Sequence, residues 1–131
     1  MVWRRIGDVT VWLVDGRKVR EEHPQNDARN AVDGPSGTLY PSAFQVYGND
    51  ARYAWIPPNE IWIDSYVSYE EIGFYALGQA IERYWMLEGK GYPEASEIAG
   101  RIVTRIRADP SELDCAIDTA CGVCRMVEVD Q

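Results

Sequence analysis

Three cysteines, Cys115, Cys121 and Cys124, fall within ten residues of one another, and the last two form a Cys-x-x-Cys pair, Cys121-Gly122-Val123-Cys124. Thiolates at that spacing bind a soft metal or cycle between dithiol and disulfide. A tetrahedral site would need a fourth ligand, and His23 and Asp118 are the candidates for it; the bland alternative is that the three thiols are small apolar packing residues. His23 is the single histidine of the chain, which excludes any site built on two. Standing beside Pro24 among polar residues, it reads as a solvated loop side chain. Glu82 lies in a stretch of helical spacing that is apolar around much of its girth. A buried carboxylate persists when it is paired, so Glu82 reads as the ion-pair partner of Arg101 or Arg105.

The elements that would position these groups divide the chain in two. Residues 1–66 read as β. Val2 to Ile6, turned at Gly7-Asp8, precedes Val9-Thr10-Val11-Trp12-Leu13-Val14, which is rich in β-branched and aromatic residues and ends at Asp15-Gly16. Asp-Gly is a hairpin signal, with Arg17-Lys18-Val19-Arg20 as the returning strand. Turn-formers crowd residues 23–50, which read as a long irregular connection with a short strand at Ala43–Tyr47. A connection of that length is a candidate contact surface. Arg52–Ile56 and Glu60–Asp64, separated by Pro57-Pro58-Asn59, suggest a second hairpin.

Residues 67–131 read as α. Ser68 and Glu71 fit a capping box, with Val67 and Ile72 placed for a hydrophobic staple. The helix they open is apolar around much of its girth and should be central in the fold. Gly78 within it could open room for a ligand, but reads first as allowing close helix or strand packing, at about 1 kcal/mol of helix propensity. Gly89 and Gly91 stop the helix and Pro93 starts the next, whose buried stripe is Ala95, Ile98, Ala99, Ile102, Val103 and Ile106. A third helix opens at Ser111–Asp114 and runs to about Ala120. Gly122 breaks it, and Val123 to Val127 form a final strand or tail. Strands first and helices after indicate one α+β domain: a small, mostly antiparallel sheet packed on a central helix, with two further helices.

Charge bounds the partners. The chain has 131 residues and a net charge of -8. Residues 1–66 carry 7 basic and 9 acidic groups, and residues 67–131 carry 6 and 12, so the acidity belongs to the helical half. That argues against direct binding of nucleic acid or of an anionic membrane. No apolar run approaches the roughly 18 residues of a membrane span. Met1 to Asp8 lack the apolar core of a secretory signal, so the expectation is a cytoplasmic protein. Among the acids, Glu94, Glu97, Glu112, Asp114 and Asp118 are the candidates for a negative contact surface. Tyr40 and Tyr47, with Tyr53, flank the long loop as candidate contact aromatics, while most of the tryptophans read as core.

The order of certain motifs carries a resemblance. They are Val14-Asp15-Gly16, Val19-Arg20, Gly48-Asn49-Asp50, Ile56-Pro57-Pro58-Asn59-Glu60-Ile61-Trp62-Ile63-Asp64, Glu82-Arg83, Met86, Gly89, Tyr92 and Ala95. Over roughly two thirds of its length the chain resembles small phage- and prophage-associated zincin-like metallopeptidases. The resemblance implies a minimal zincin-like core, in which a helix presents two ligands one turn apart to Zn²⁺ beside a glutamate base, and the next helix adds a third ligand. Carried over residue by residue, the first ligand falls at Gly78, the base at Gln79, the second ligand at Glu82 and the third at Ser96. Only Glu82 binds metal well, so it is at most a residual ligand.

The expectation is therefore a pseudoenzyme that needs no cofactor. It would be a protein-binding product of a phage or mobile element, such as an anti-CRISPR inhibitor of a host defence complex. It would set its acidic surface against the basic channel of a nucleoprotein or nuclease partner. Two alternatives stand beside it: a metal-dependent hydrolase with a site rebuilt around Glu82, and a metal- or redox-responsive module of Cys115, Cys121 and Cys124.

Overall fold

The computed structural model describes residues 1–23, 44 and 46–122. Its elements run β1 (Val2–Ile6), β2 (Val9–Val14), α1 (Gly16–Glu22), β3 (Tyr47–Asn49), β4 (Glu60–Asp64), α2 (Tyr69–Leu87), α3 (Tyr92–Ala108), a 3-10 turn (Pro110–Glu112) and α4 (Leu113–Ala120). The fold is α+β. The four strands are ordered β1-β2-β4-β3, with β1 and β3 antiparallel to their neighbours and the central pair, β2 and β4, parallel.

Strand alternation divides the hydrophobic residues between two cores. Val9, Val11, Ile61 and Ile63 face α2, α3 and α4 and join Ile6, Leu77, Ile81, Ile102 and Ile117 in the larger one. Val14 and Trp62 point to the opposite face, where Val19 of α1 packs with Phe44, Tyr53 and Ile56. α2 is central, as its apolar girth predicts, and α3 buries Ala95, Ala99, Ile102 and Ile106 of the expected stripe.

Several local expectations are overturned. Asp15-Gly16 opens a helix, not a hairpin. The Asp15 carboxylate accepts the backbone N–H groups of Arg17 and Lys18 at 3.1 and 3.3 Å, the bonds of an N-cap, and Arg17–Arg20 winds into α1. The second hairpin is absent as well. Arg52–Ile56 is a run of turns closed by Tyr53 N–H on the Asn49 carbonyl at 3.0 Å and Ile56 N–H on the Tyr53 carbonyl at 3.1 Å, and β4 pairs with β2 and β3 instead. The short strand lies at Tyr47–Asn49 and shares only Tyr47 with the expected Ala43–Tyr47, of which residues 43 and 45 lie outside the described residues. Ser68 holds the N-cap position of α2 without a side-chain cap bond. Its expected partner Glu71 is drawn across to α3, where Arg107 binds it through two bonds of 2.6 and 3.1 Å. The expected tail at Val123–Val127 lies outside the described residues.

The end of β4 is anchored to the start of α1. One Asp64 carboxylate oxygen accepts the Gly16 and Tyr66 N–H groups at 3.3 and 3.0 Å, and the other meets Arg20 at 3.6 Å. A Cβ added at Gly16 would overlap that carboxylate, so glycine is needed here for close approach. Gly16→Ala should destabilise the protein by about 2 kcal/mol, the scale of overpacking plus lost hydrogen bonds. Urea unfolding of Gly16→Ala, Asp64→Ala and the double variant checks this: the two effects should be less than additive, because removing Asp64 removes the overlap.

Candidate functional site

A cleft of about 180 Å³ opens between α2, α3 and the β3 edge of the sheet. α2 supplies Phe74, Tyr75, Gly78 and Glu82, spaced so that they share a helix face. α3 supplies Ser96, Gly100 and Val103, and β3 supplies Tyr47, whose ring lies 5.3 Å from that of Tyr75. Three of the four positions that the resemblance assigns to the metal chemistry, Gly78, Glu82 and Ser96, thus line one cleft. The fourth, Gln79, lies directly behind it.

Behind the cleft is a buried polar network. Asn49, Gln79 and Glu82 are 0, 3 and 4% exposed. The orientation of the network follows from the backbone. The Ala51 and Arg52 N–H groups both donate to Asn49 Oδ1, at 2.9 and 3.2 Å, an Asx turn that only an oxygen can close. Asn49 Nδ2 must then face inward, and it donates to Gln79 Oε1 at 2.8 Å and to Glu82 Oε2 at 3.3 Å. With its oxygen so occupied, Gln79 turns its amide toward Glu82, where it favours the charged carboxyl. Burial pushes the Glu82 carboxyl up to about 7, against the opposing pull of the Arg52 charge and of the Asn49 and Gln79 hydrogen bonds.

Around this network stand charges that are already engaged. The Arg52 guanidinium lies 3.3 Å above the Tyr92 ring and 5.4 Å from that of Tyr53. Arg107, at the rim of the cleft, is bound to Glu71, whose carboxyl that bond holds below its ordinary value. The Tyr47 phenol is raised above 10, first by burial and then by Tyr92, Glu82 and Tyr75. One turn along α2 from Gln79, Arg83 Nε meets Asp50 at 2.6 Å and Arg83 Nη2 donates to Asn59 Oδ1 at 2.7 Å. Asp50 in turn accepts the Asn59 N–H at 2.8 Å. Asn59 takes a positive φ of 64° there, a conformation asparagine tolerates.

The sequence-derived roles are sorted by this geometry. Glu82 does not pair with Arg101 or Arg105: Arg101 meets Glu97 at 3.5 Å on its own helix, and Glu82 turns inward to two amides. Gly78 is not forced by packing, since a Cβ there would stand 3.5 Å from Val103 Cγ2, an ordinary contact. His23 is not a solvated loop residue. It ends α1 and stacks on Trp55 with ring centroids 3.7 Å apart. Tyr53 is 1% exposed and belongs to the core, whereas Tyr47 is 39% exposed at the cleft.

The acidic candidates separate into two groups. Glu94 and Glu97 lie near the start of α3, whereas Glu112 ends the 3-10 turn and Asp114 and Asp118 belong to α4. Glu94 pairs with Lys90, and Asp114 with Arg4, both at 3.2 Å. Cys115 is exposed and Cys121 is half-buried, its thiol pushed up to about 11 by desolvation. Tyr40, Cys124 and most of the 23–50 loop lie outside the described residues. Among the described residues, no three histidine, cysteine, aspartate or glutamate side chains are grouped to hold a metal, and no helix is long and apolar enough to cross a membrane.

Sequence reasoning missed Asn49, Arg52 and Tyr75. Gly48-Asn49-Asp50 read as turn-formers, and the one available signal was that an asparagine capable of closing a turn can also present an amide to a buried carboxylate.

A carboxyl held at about 7 in the folded state and near its ordinary 4.5 in the unfolded state makes the folded state bind the extra proton between those values. Its contribution to stability is therefore lost as pH rises from 4.5 to 7, by about 3 kcal/mol in all. Glu82→Gln, which keeps an amide-compatible shape, should gain stability over the parent by that amount at pH 8 and by little at pH 4. Urea unfolding at a series of pH values measures the difference.

No protein-family model, curated protein or solved structure matches the chain.

Proposed function

We propose that the protein is a non-catalytic, protein-binding product of a phage or mobile element, built on a metallopeptidase-like scaffold. The observation that carries this reading is the cleft itself. Of Gly78, Glu82 and Ser96, which line it together, only Glu82 has a side chain that ligates a metal well. At the position of the base, Gln79 is an amide already engaged with Asn49 and Glu82, and it cannot take a proton from water. Binding energy in such a protein is directed at a partner. With a net charge of -8, the partner class that fits is one with a basic channel, such as a nucleoprotein or nuclease complex of host defence, met in the manner of an anti-CRISPR protein. Glu94, Glu97 and Asp114 would exchange their present ion pairs for basic groups of that partner.

A second reading has one observation in its favour. A carboxyl held at about 7 and lining a cleft is matched to proton transfer near neutral pH, as a hydrolase rebuilt around Glu82 would require. Such an enzyme loses turnover on Glu82→Ala, whereas the binding protein keeps its partner.

Metal content per chain separates the readings. Protein purified without chelator or histidine tag should carry essentially no zinc by plasma mass spectrometry. The triple variant Gly78→His, Gln79→Glu, Ser96→His should gain about one zinc per chain, because those changes restore three ligands and a base. Near one zinc in the parent protein overturns the non-catalytic reading. A folded triple variant without zinc overturns the mapping of the metal positions.

A further inference from the structure

The cleft has a chemistry of its own, apart from what the resemblance assigns to its positions. Its walls are aromatic, with Tyr47 and Tyr75 in contact and Phe74 beside them, and its end is the buried carboxylate of Glu82. The opening depends on small residues. Gly78 is one of them, and packing would tolerate a side chain there, although glycine inside a helix costs about 1 kcal/mol. The cleft is thus kept open at a position where the fold does not demand it.

From these features we infer that the cleft binds a primary alkylammonium group, with the ammonium on Glu82 and the alkyl chain laid along the aromatic wall. Aromatic faces attract a cation through their quadrupole, and the carboxylate neutralises it. A metal ion is the poorer occupant, since one carboxylate without further acidic, histidine or cysteine ligands does not complete a coordination shell. An ammonium is a point charge with three donors. Glu82, the Ser96 hydroxyl and the Tyr47 phenol, all at the cleft, are acceptors for them.

The cations already nearby do not take this place. Arg52 is laid over Tyr92, Arg107 is bound to Glu71, and Arg83 is bound to Asp50. The groups facing Glu82 are Tyr47 on β3, Arg52 after it, and Gln79 on α2. The shared chemistry has two sources, a free small amine and a lysine side chain of a protein partner. The inference rests on the non-catalytic reading, which leaves the cleft without a metal.

The test is a titration followed by backbone amide NMR and calorimetry, using n-butylammonium, a lysine-bearing peptide and the same peptide with its lysine acetylated. Both ammonium probes should shift the Tyr75, Gly78 and Ser96 amides, with a Kd of about a millimolar for butylammonium. Glu82→Gln should weaken binding at least tenfold at unchanged fold, and Gly78→Met, which fills the cleft and leaves Glu82 in place, should abolish it. A lysine peptide that binds at least tenfold tighter than butylammonium supports the inference with a protein source. Equal affinity supports it with a free amine.

Equal binding of the acetylated peptide, or full affinity in a folded Glu82→Gln variant, overturns it. So does the absence of shifts at the cleft. If the parent protein carries no zinc, these outcomes overturn the ammonium site alone. Zinc in the parent overturns both readings, and the metal analysis detects it independently.

Discussion

A carboxylate only 4% exposed in the helix against which the other layers pack sets the terms for its surroundings. Burying it without partners would cost several kcal/mol, so donors must be brought to it and held. Two amides do this, and each is held by something else. Asn49 is aimed by the backbone N–H groups of its own turn, and Gln79 is aimed by Asn49. The turn after β3 is held in turn by Asp50, which Arg83 of α2 and the Asn59 backbone grip from two sides. The helix that carries the charge thus reaches back, one turn on, to secure the loop that satisfies it. Disturbing Asp50 or Asn59 therefore acts on Glu82 without touching it.

The same residues settle the sheet. β4 is central and short, and its pairing with β2 is parallel, so no tight turn can set its register. Both its ends are instead pinned by side chains. Asn59, just before the strand, is held by Asp50 and Arg83, and Asp64, at its end, binds the first turn of α1. Shifting β4 by one residue would break both clamps and turn Ile61 and Ile63 out of the larger core. The motif residues that the sequence brings to notice, Asp15-Gly16, Arg20, Asn49-Asp50, Asn59, Asp64 and Arg83, are in large part these clamps. They account for the architecture and leave the cleft positions to be explained separately.

What was legible in the sequence follows from this division. α2, α3 and α4 were readable because periodicity, Gly89, Pro93 and Asp109-Pro110 are local signals. The strands Val2–Ile6, Val9–Val14 and Glu60–Asp64 were readable by composition. α1 was not, because Asp-Gly serves equally as a hairpin turn and as an N-cap followed by a residue without a side chain. Only the distant Asp64 decides between them. The Ser68–Glu71 box failed for a similar reason, since Arg107 on another helix offers Glu71 two charge-assisted bonds where the cap offers one. Of the site, Gly78, Glu82 and Ser96 were nameable one by one, but the turn-forming character of Asn49, the one signal for its amide, does not say which distant acid that amide meets.

Two unfavourable choices coincide at the cleft. Glycine inside α2 weakens the helix, and a carboxylate held at about 7 weakens the fold at neutral pH. The packing demands neither. Alanine fits at position 78 by the Val103 distance, and glutamine at position 82 would meet Asn49 and Gln79 as an amide without the charge. Independent accidents would not be expected to fall one helical turn apart on the same face and open on the same space. A site that needs room and negative charge together requires both, whereas a purely structural helix requires neither. The cleft, more than the dispersed acids of the surface, is therefore where a costly glycine and a costly buried acid fall together.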